Sequence, residues 1–162
     1  MDTLINKNHP LPTLVKIRTS LKKEGKRVVF TNGCFDLLHS GHVHLLRQAK
    51  MLGDVLIVAV NDDRSIKTIK GDSRPIFPLT ERLEILEAIE YIDYLISFSE
   101  ETPQKVISAL LPDILVKGKD WKKDDVVGRK EVEEAGGAVV LVSLCEGQST
   151  TSILEKISRL FK

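Results

Sequence analysis

Apolar and polar positions along this chain fall into alternating blocks of two different periods. Residues 11–23 read as a leading helix. Residues 27–32 (RVVFTN) form a short β-branched run that ends in polar residues and glycine. Leu45, Leu46, Ala49 and Leu52 then recur at helical spacing, with Gly53 behind them where helices commonly close. Residues 55–60 (VLIVAV) are unbroken and apolar, which predicts a strand buried on both faces. A second helix is predicted from near Pro78 and Thr80, carried by Leu83, Ile85, Leu86 and Ile89. A third strand is predicted within 91–98, and a helix over 103–111 with Pro103 in its first turn. A short strand at 114–116 is closed by Gly118. A helix over 126–134 is broken by Gly136-Gly137, an apolar strand spans 138–142, and an amphipathic helix closes the chain at 150–161. Strands alternating with helices predict a parallel sheet with crossover helices, an α/β fold. No internal repeat, low-complexity tract or linker interrupts it. The expectation is one domain overall, with residues 1–25 as a helical extension and 26–162 as the main body.

Ligands of such sheets sit beyond the carboxyl ends of the strands. Here those ends read TNGCFD, NDD, KGKDW and CEGQSTT. They are expected to converge on one site.

Composition narrows the partners. The 162 residues carry 24 Lys plus Arg against 23 Asp plus Glu, so the chain has no overall bias towards nucleic acid or an anionic membrane. Six residues is the longest apolar run considered, far below the ~20 of a membrane span. The N-terminus MDTLINKNHP lacks the apolar core of a signal peptide. Two cysteines, Cys34 and Cys145, make neither a disulfide framework nor a zinc site, so the reducing cytoplasm is the expected compartment.

The most informative segment is TNGCFDLLHSGHVH at 31–44. Gly33 lets backbone approach a ligand closely. His39 and His42 stand three apart around Gly41. With a helix starting near Ser40, both imidazoles lie at its N-terminal end, where free N–H groups and a partial positive charge suit phosphate. Three readings of the pair stay open on spacing alone: phosphate binding, a helix cap, or half of a metal site needing further ligands. No GxGxxG fingerprint or GxxxxGK[ST] loop competes with this segment.

Residues 33–42 (GCFDLLHSGH) resemble the GxFDxxHxGH signature of the cytidylyltransferase-like, HxGH-type nucleotidyltransferases. The resemblance implies a Rossmann-like three-layer sandwich with a five-stranded parallel sheet. It also implies a reaction in which a phosphorylated acceptor attacks the nucleotide α-phosphorus and pyrophosphate leaves. Charge neutralisation by donors and Mg²⁺ would serve that in-line displacement without a covalent enzyme intermediate. Carried residue by residue, His39 and His42 contact the phosphates, and Thr31, Asn32, Gly33, Cys34, Phe35 and Gly41 line the nucleotide. Cys34 has no identifiable base and is read as backbone support.

Three further segments extend the resemblance. EGQSTT at 146–151 is similar to the STT segment that opens the family's last helix. It brings Glu146, Ser149, Thr150 and Thr151 to the nucleotide, although isolated Ser and Thr there would read as plain caps. An arginine that glycerol phosphate enzymes often carry before this glutamate is absent. IKTIKGDSRPIFPLTER at 66–82 supplies Lys67, Lys70, Arg74 and Arg82. It is expected to be a loop over a triphosphate or the acceptor phosphate, followed by the helix that carries Arg82. Arg74 and Arg82 match phosphate as planar forks, Arg82 as the family's helix arginine near the phosphates. VKGKDW at 116–121 resembles the KGxDW segment, so Lys117 points towards the nucleotide and serves catalysis with His39, His42 and Arg82. Trp121 is read first as a loop anchor and second as a wall for the base.

Across about 26–158 the stretches NDDRSIKTIKGDSRPI, EETPQKVISALLPDILVKGKDW and EGQSTTSIL are similar to the heptose-phosphate adenylyltransferase branch of that family. The substrates this implies are ATP with Mg²⁺ and D-glycero-β-D-manno-heptose 1-phosphate, with ADP-heptose as product. Nucleic acid and membrane are not expected as partners, a homodimer is, and the leading helix would contribute to it. At 162 residues the chain leaves no room for a fused sugar kinase, so that step is expected on another protein. The alternative is a cytidylyltransferase or adenylyltransferase acting on another acceptor: glycerol 3-phosphate, phosphopantetheine or a flavin precursor. A non-catalytic nucleotide sensor is the different-class alternative.

Overall fold

Five strands form one all-parallel sheet in the order β3-β2-β1-β4-β5, in a computed structural model that describes residues 6–143 and 149–161. The strands are β1 (Val28–Gly33), β2 (Val55–Asn61), β3 (Tyr94–Phe98), β4 (Ile114–Gly118) and β5 (Ala138–Val142). The helices are α1 (Leu11–Lys23), α2 (Ser40–Lys50), α3 (Asp63–Lys70), α4 (Leu79–Glu87), α5 (Gln104–Leu110), α6 (Arg129–Glu134) and α7 (Thr150–Leu160), with a 3₁₀ turn at Lys123–Asp125. This is the expected α/β, Rossmann-like three-layer arrangement.

The two faces of the sheet bury different residues because side chains alternate along a strand. Val28, Phe30, Ile57 and Ala59 face one layer, where they meet Leu14 of α1, Val106, Ile107 and Leu110 of α5, and Val132 of α6. Val29, Leu56, Val58 and Val60 face the other, against Leu46 and Ala49 of α2 and Leu86 of α4. Both faces of β2 are therefore covered, which is why its sequence is continuously apolar.

The N-terminal segment is built into this core. Leu14 is fully buried, and Leu11, Val15, Ile17 and Leu21 pack beside it. The apolar positions of α1 are thus used within the chain. Lys7 and His9 extend the sheet edge by bonding to Leu95 through backbone groups. Arg18 is buried and donates to the carbonyls of Leu110 and Leu111 and to Asp113, so it closes the end of α5.

Two boundaries differ from the sequence reading. The stretch from 66 is not a loop: α3 runs to Lys70, started by the Asp62 carboxylate accepting from the Ser65 N–H at 2.7 Å. Only Ser65 and Ile66 of α3 are buried, so it shows no repeating apolar stripe. The helix expected over 126–134 begins only at Arg129, because Gly128 has φ +82°. A Cβ on Gly128 would also stand 2.5 Å from Ile107. The third strand starts at Tyr94, preceded by Asp93, whose carboxylate takes the Leu56 N–H and the Lys50 ammonium.

Among the described residues, no helix is long and apolar enough to cross a membrane.

Candidate active site

The strand order reverses at β1, which has β2 on one side and β4 on the other. A reversal of this kind opens a crevice beyond the strand ends. The β1–β4 register ends at Phe30↔Leu115, whereas β1 stays paired with β2 through Gly33↔Val60. Beyond that point side chains bridge the two strands. Thr31 Oγ1 donates to the Val116 carbonyl at 3.1 Å, and Lys117 Nζ makes a long contact with the Asn32 carbonyl at 3.5 Å. The expectation that Thr31 faces a nucleotide through its side chain is corrected here, since it is fully buried with its hydroxyl spent between strands.

His39 and His42 form the start of α2. His39 is the N-cap, its Nδ1 accepting from the Gly41 N–H at 3.1 Å. The His39 N–H in turn donates to Nδ1 of His42 at 3.3 Å. The two rings stack with centroids 3.9 Å apart, and Phe35 lies against His42. Burial holds the His39 pKa below its usual value. Burial, then the neighbouring His39, brings His42 down to about 4. Both rings are therefore neutral near pH 7. With each Nδ1 occupied as an acceptor, the hydrogen-bond network assigns the remaining proton to Nε2. The cap and phosphate readings of this pair are compatible: Nδ1 caps the helix, and Nε2–H is left to donate outwards.

Asp36 organises the loop between β1 and α2. Its side chain is completely buried. It accepts from the N–H groups of Ile76 (2.9 Å) and Phe77 (3.0 Å) and from Arg74 Nε at 2.6 Å. Burial pushes its pKa up, but the Phe77 and Ile76 N–H groups and Arg74 outweigh it, so the carboxyl is held below the usual range. The Asp36 carbonyl accepts from Thr150 Oγ1 at 2.8 Å, which docks the start of α7. Phe35 and Leu37, on either side, both have left-handed backbones, with φ of 47° and 49°. Non-glycine residues held in that region are strained and persist only where surrounding bonds hold them.

A cavity of about 300 Å³ lies where these segments meet. The sequence-predicted residues on its wall are Asn32, Gly33, Cys34, Phe35, His42, Lys70, Arg74, Ser149, Thr150 and Thr151. Larger cavities occur elsewhere, one of about 570 Å³ beside the end of β3, lined by none of the sequence-predicted site residues. Asn32 Oδ1 is buried and has no protein donor. Ser149 is the N-cap of α7, its hydroxyl accepting from the Ser152 N–H at 3.0 Å. Cys34 is a free thiol whose pKa is raised by burial, as expected of a group that is no nucleophile. Gly41 is buried in the first turn of α2. Lys117 stands outside this cavity wall, 5.3 Å from the Trp121 ring, and burial lowers its pKa to about 8. Lys67 is exposed on α3, off the wall. Glu146, and Cys145 beside it, lie outside the described residues.

Arg82 requires a correction. Its side chain is completely buried. Nε donates to the Phe77 carbonyl, Nη1 to the carbonyls of Cys34 (2.6 Å) and Asn61 (2.8 Å), and Nη2 to Asp63 at 2.8 Å. A guanidinium committed in this way offers no fork to a phosphate. It ties the end of β2 and the loop after β1 to the start of α4. Sequence reasoning missed Asp63 as its partner and Asp36 as the hub. Asp36 was visible as an invariant letter of the signature pattern, but its partners lie about 40 residues away.

Residues 30–156 match the model of the family described as Cytidylyltransferase-like. The chain is 52% identical over 145 residues to the Bifunctional protein HldE of Hydrogenovibrio crunogenus, covering 90% of this chain and 30% of that protein. It is 54% identical over 136 residues to the protein of the same name from Shewanella loihica, covering 84% and 29%. The chain thus spans about three-tenths of the length of these curated relatives. Among solved structures, the lipopolysaccharide core biosynthesis protein of Thermoplasma volcanium superposes with a TM-score of 0.60 at 32% identity, over 75% of this chain and 98% of that one. Pantoate-beta-alanine ligase from Francisella tularensis, at 18% identity and TM-score 0.67 over 93% and 73%, shares the fold. With the histidine pair at the switch point of a doubly wound sheet and the family match spanning most of its length, the chain belongs to the cytidylyltransferase-like family and is a nucleotidyltransferase.

Proposed function

We propose that this chain transfers the adenylyl group of ATP to D-glycero-β-D-manno-heptose 1-phosphate, releasing ADP-heptose and pyrophosphate. The observation that carries the transfer chemistry is the pair of neutral imidazoles with Nε2–H free and Nδ1 fixed by backbone. Donors oriented before the reaction stabilise charge that develops on the phosphates without reorganising. The choice of acceptor rests on the relatives named above and on the KGDSRP segment at 70–75.

In this reading His39 and His42 hold the phosphates at the N-terminus of α2. Lys117, protonated below about pH 8, adds a charge from the end of β4. Thr151 and the first turn of α7 complete the nucleotide side. Lys70 and Arg74 take the acceptor phosphate on the far wall of the cavity. That phosphate is already an anion near pH 7, so its attack on the α-phosphorus needs no strong general base, and pyrophosphate departs in line. Among the described residues no cluster of His, Cys, Asp and Glu forms a metal-ligand set, and Asp36 is spent on protein donors. In this reading Mg²⁺ would enter with ATP as part of the substrate and would neutralise phosphate charge.

A pyrophosphate-release assay tests the reading. ATP and CTP are each offered with heptose 1-phosphate, glycerol 3-phosphate, phosphopantetheine and a flavin precursor. Release with ATP and heptose 1-phosphate is the expected result. Release only with CTP, or only with another acceptor, overturns the assignment, and nucleotide binding without turnover would favour a sensor.

A further inference from the structure

The loop after β1 and the segment 74–77 are joined by the buried Asp36 carboxylate as well as by Arg82, and the carboxylate's geometry is asymmetric. Asp36 engages Arg74 at Nε, the inner nitrogen of the guanidinium, at 2.6 Å. Among the described residues nothing takes the two terminal nitrogens of Arg74, whose side chain is 14% exposed and sits on the cavity wall. The same carboxylate receives the N–H groups of Ile76 and Phe77, so the backbone that carries Arg74 is fixed together with its head group. The Asp36 carbonyl also receives Oγ1 of Thr150, another residue of the cavity wall.

We propose that Asp36 is a positioning residue that sets Arg74 as the fork reading the acceptor's phosphate, holding Nε and leaving both terminal nitrogens for the ligand. This rests on the assignment of the Lys70–Arg74 wall to the acceptor. A guanidinium free to rotate would lose entropy on each binding event, whereas one clamped at Nε presents its two parallel N–H groups already aligned. The left-handed backbones of Phe35 and Leu37 present the carboxylate inwards at a cost in strain, which fits a residue placed for a site. The Asp36 side chain is completely buried, so its carboxylate acts through Arg74.

The test is a double-mutant cycle read in both Michaelis constants, with whichever phosphorylated acceptor the wild type turns over. Asp36→Asn keeps the shape but turns an amide towards Arg74 or loses the ion pair. It is expected to raise the acceptor KM about ten- to a hundredfold, the range of one lost charge-assisted bond, while the ATP KM stays within about twofold. In an Arg74→Ala background, Asp36→Asn is expected to add less than about twofold. Equal effects in both backgrounds, or a rise in the ATP KM instead, overturn the proposal. If Asp36→Asn does not fold, Arg74→Lys decides. Its single ammonium cannot serve the carboxylate and a bidentate phosphate together, so a wild-type acceptor KM sinks the idea. Failure of the wild type to turn over any acceptor overturns the function reading and this inference together; turnover with an unmoved acceptor KM overturns only this one.

Discussion

Nδ1 of His42 accepts the backbone N–H of His39, so the second histidine of the pair fixes the backbone of the first. His39 does the same one step along, taking the Gly41 N–H on its own Nδ1. Each ring thereby caps α2 with one nitrogen and, among the described residues, leaves the other without a protein partner.

The two duties of His42 separate by substitution. Asparagine places an oxygen near the position of Nδ1 and nothing at Nε2. His42→Asn is expected to keep the cap and melt within a few degrees of wild type, yet lose about 10²–10³ in kcat, the size of one lost transition-state donor. His42→Ala should lose the same turnover plus about 1 kcal/mol of stability from the missing cap. Steady-state kinetics and thermal melts on both variants check this, and wild-type turnover in either variant removes His42 from the chemistry.

His42 also makes stability depend on pH. Its folded pKa is about 4 against an ordinary 6.5, so between those values the unfolded chain binds the extra proton. Stability from this residue is present above about pH 6.5 and is lost as pH falls towards 4. Melting temperatures measured from pH 7 to 4.5 should fall more steeply for wild type than for His42→Asn. Parallel curves would show that the ring is not buried as a neutral group.

Arg82→Met removes the donor from three carbonyls on separate segments and leaves Asp63 unpaired. Breaking a buried, fully bonded cation costs about 3–5 kcal/mol. For a chain of this size that lowers Tm by roughly 10 °C. Arg82→Lys is expected to recover little, since one ammonium cannot span the same acceptors. Scanning calorimetry is the measurement, and a Tm within a degree or two of wild type would return Arg82 to the phosphates.

Lys117 is expected to set an alkaline limit. Burial lowers its pKa to about 8, so its charge is present below that pH and lost above it. The value of kcat/KM for ATP is expected to fall above about pH 8, and Lys117→Arg should move that limb upwards because a guanidinium stays charged. A limb that stays in place in the arginine variant assigns it to another group. Trp121, whose ring lies 5.3 Å from Lys117 Nζ, is the sole tryptophan, and its fluorescence is expected to change on ATP binding if Lys117 meets the nucleotide.

Much of the architecture was legible because its causes are local. The apolar run of β2 follows from burial on both faces, and the HxGH segment carries its own helix cap. Within α1 every apolar residue falls on a helical period, and its bounds agree with the reading from sequence. Where a local pattern was weak, the reading failed. The helix α3 buries only two positions and rests on the Asp62 cap, while α6 is delayed by the contact between Gly128 and Ile107.

The roles of the cations divide along the same line. Sequence alone determined that Lys70, Arg74, Arg82 and Lys117 stand near strand ends and that two histidines open a helix. It could not say which guanidinium meets solvent and which meets protein. Arg82 lies 48 residues from Cys34, and Asp36 lies 40 from Ile76 and 114 from Thr150. Those distances close only when the sheet assembles, so only the tertiary structure decided that Arg82 is bonded inwards while Arg74 keeps its terminal nitrogens towards the cavity.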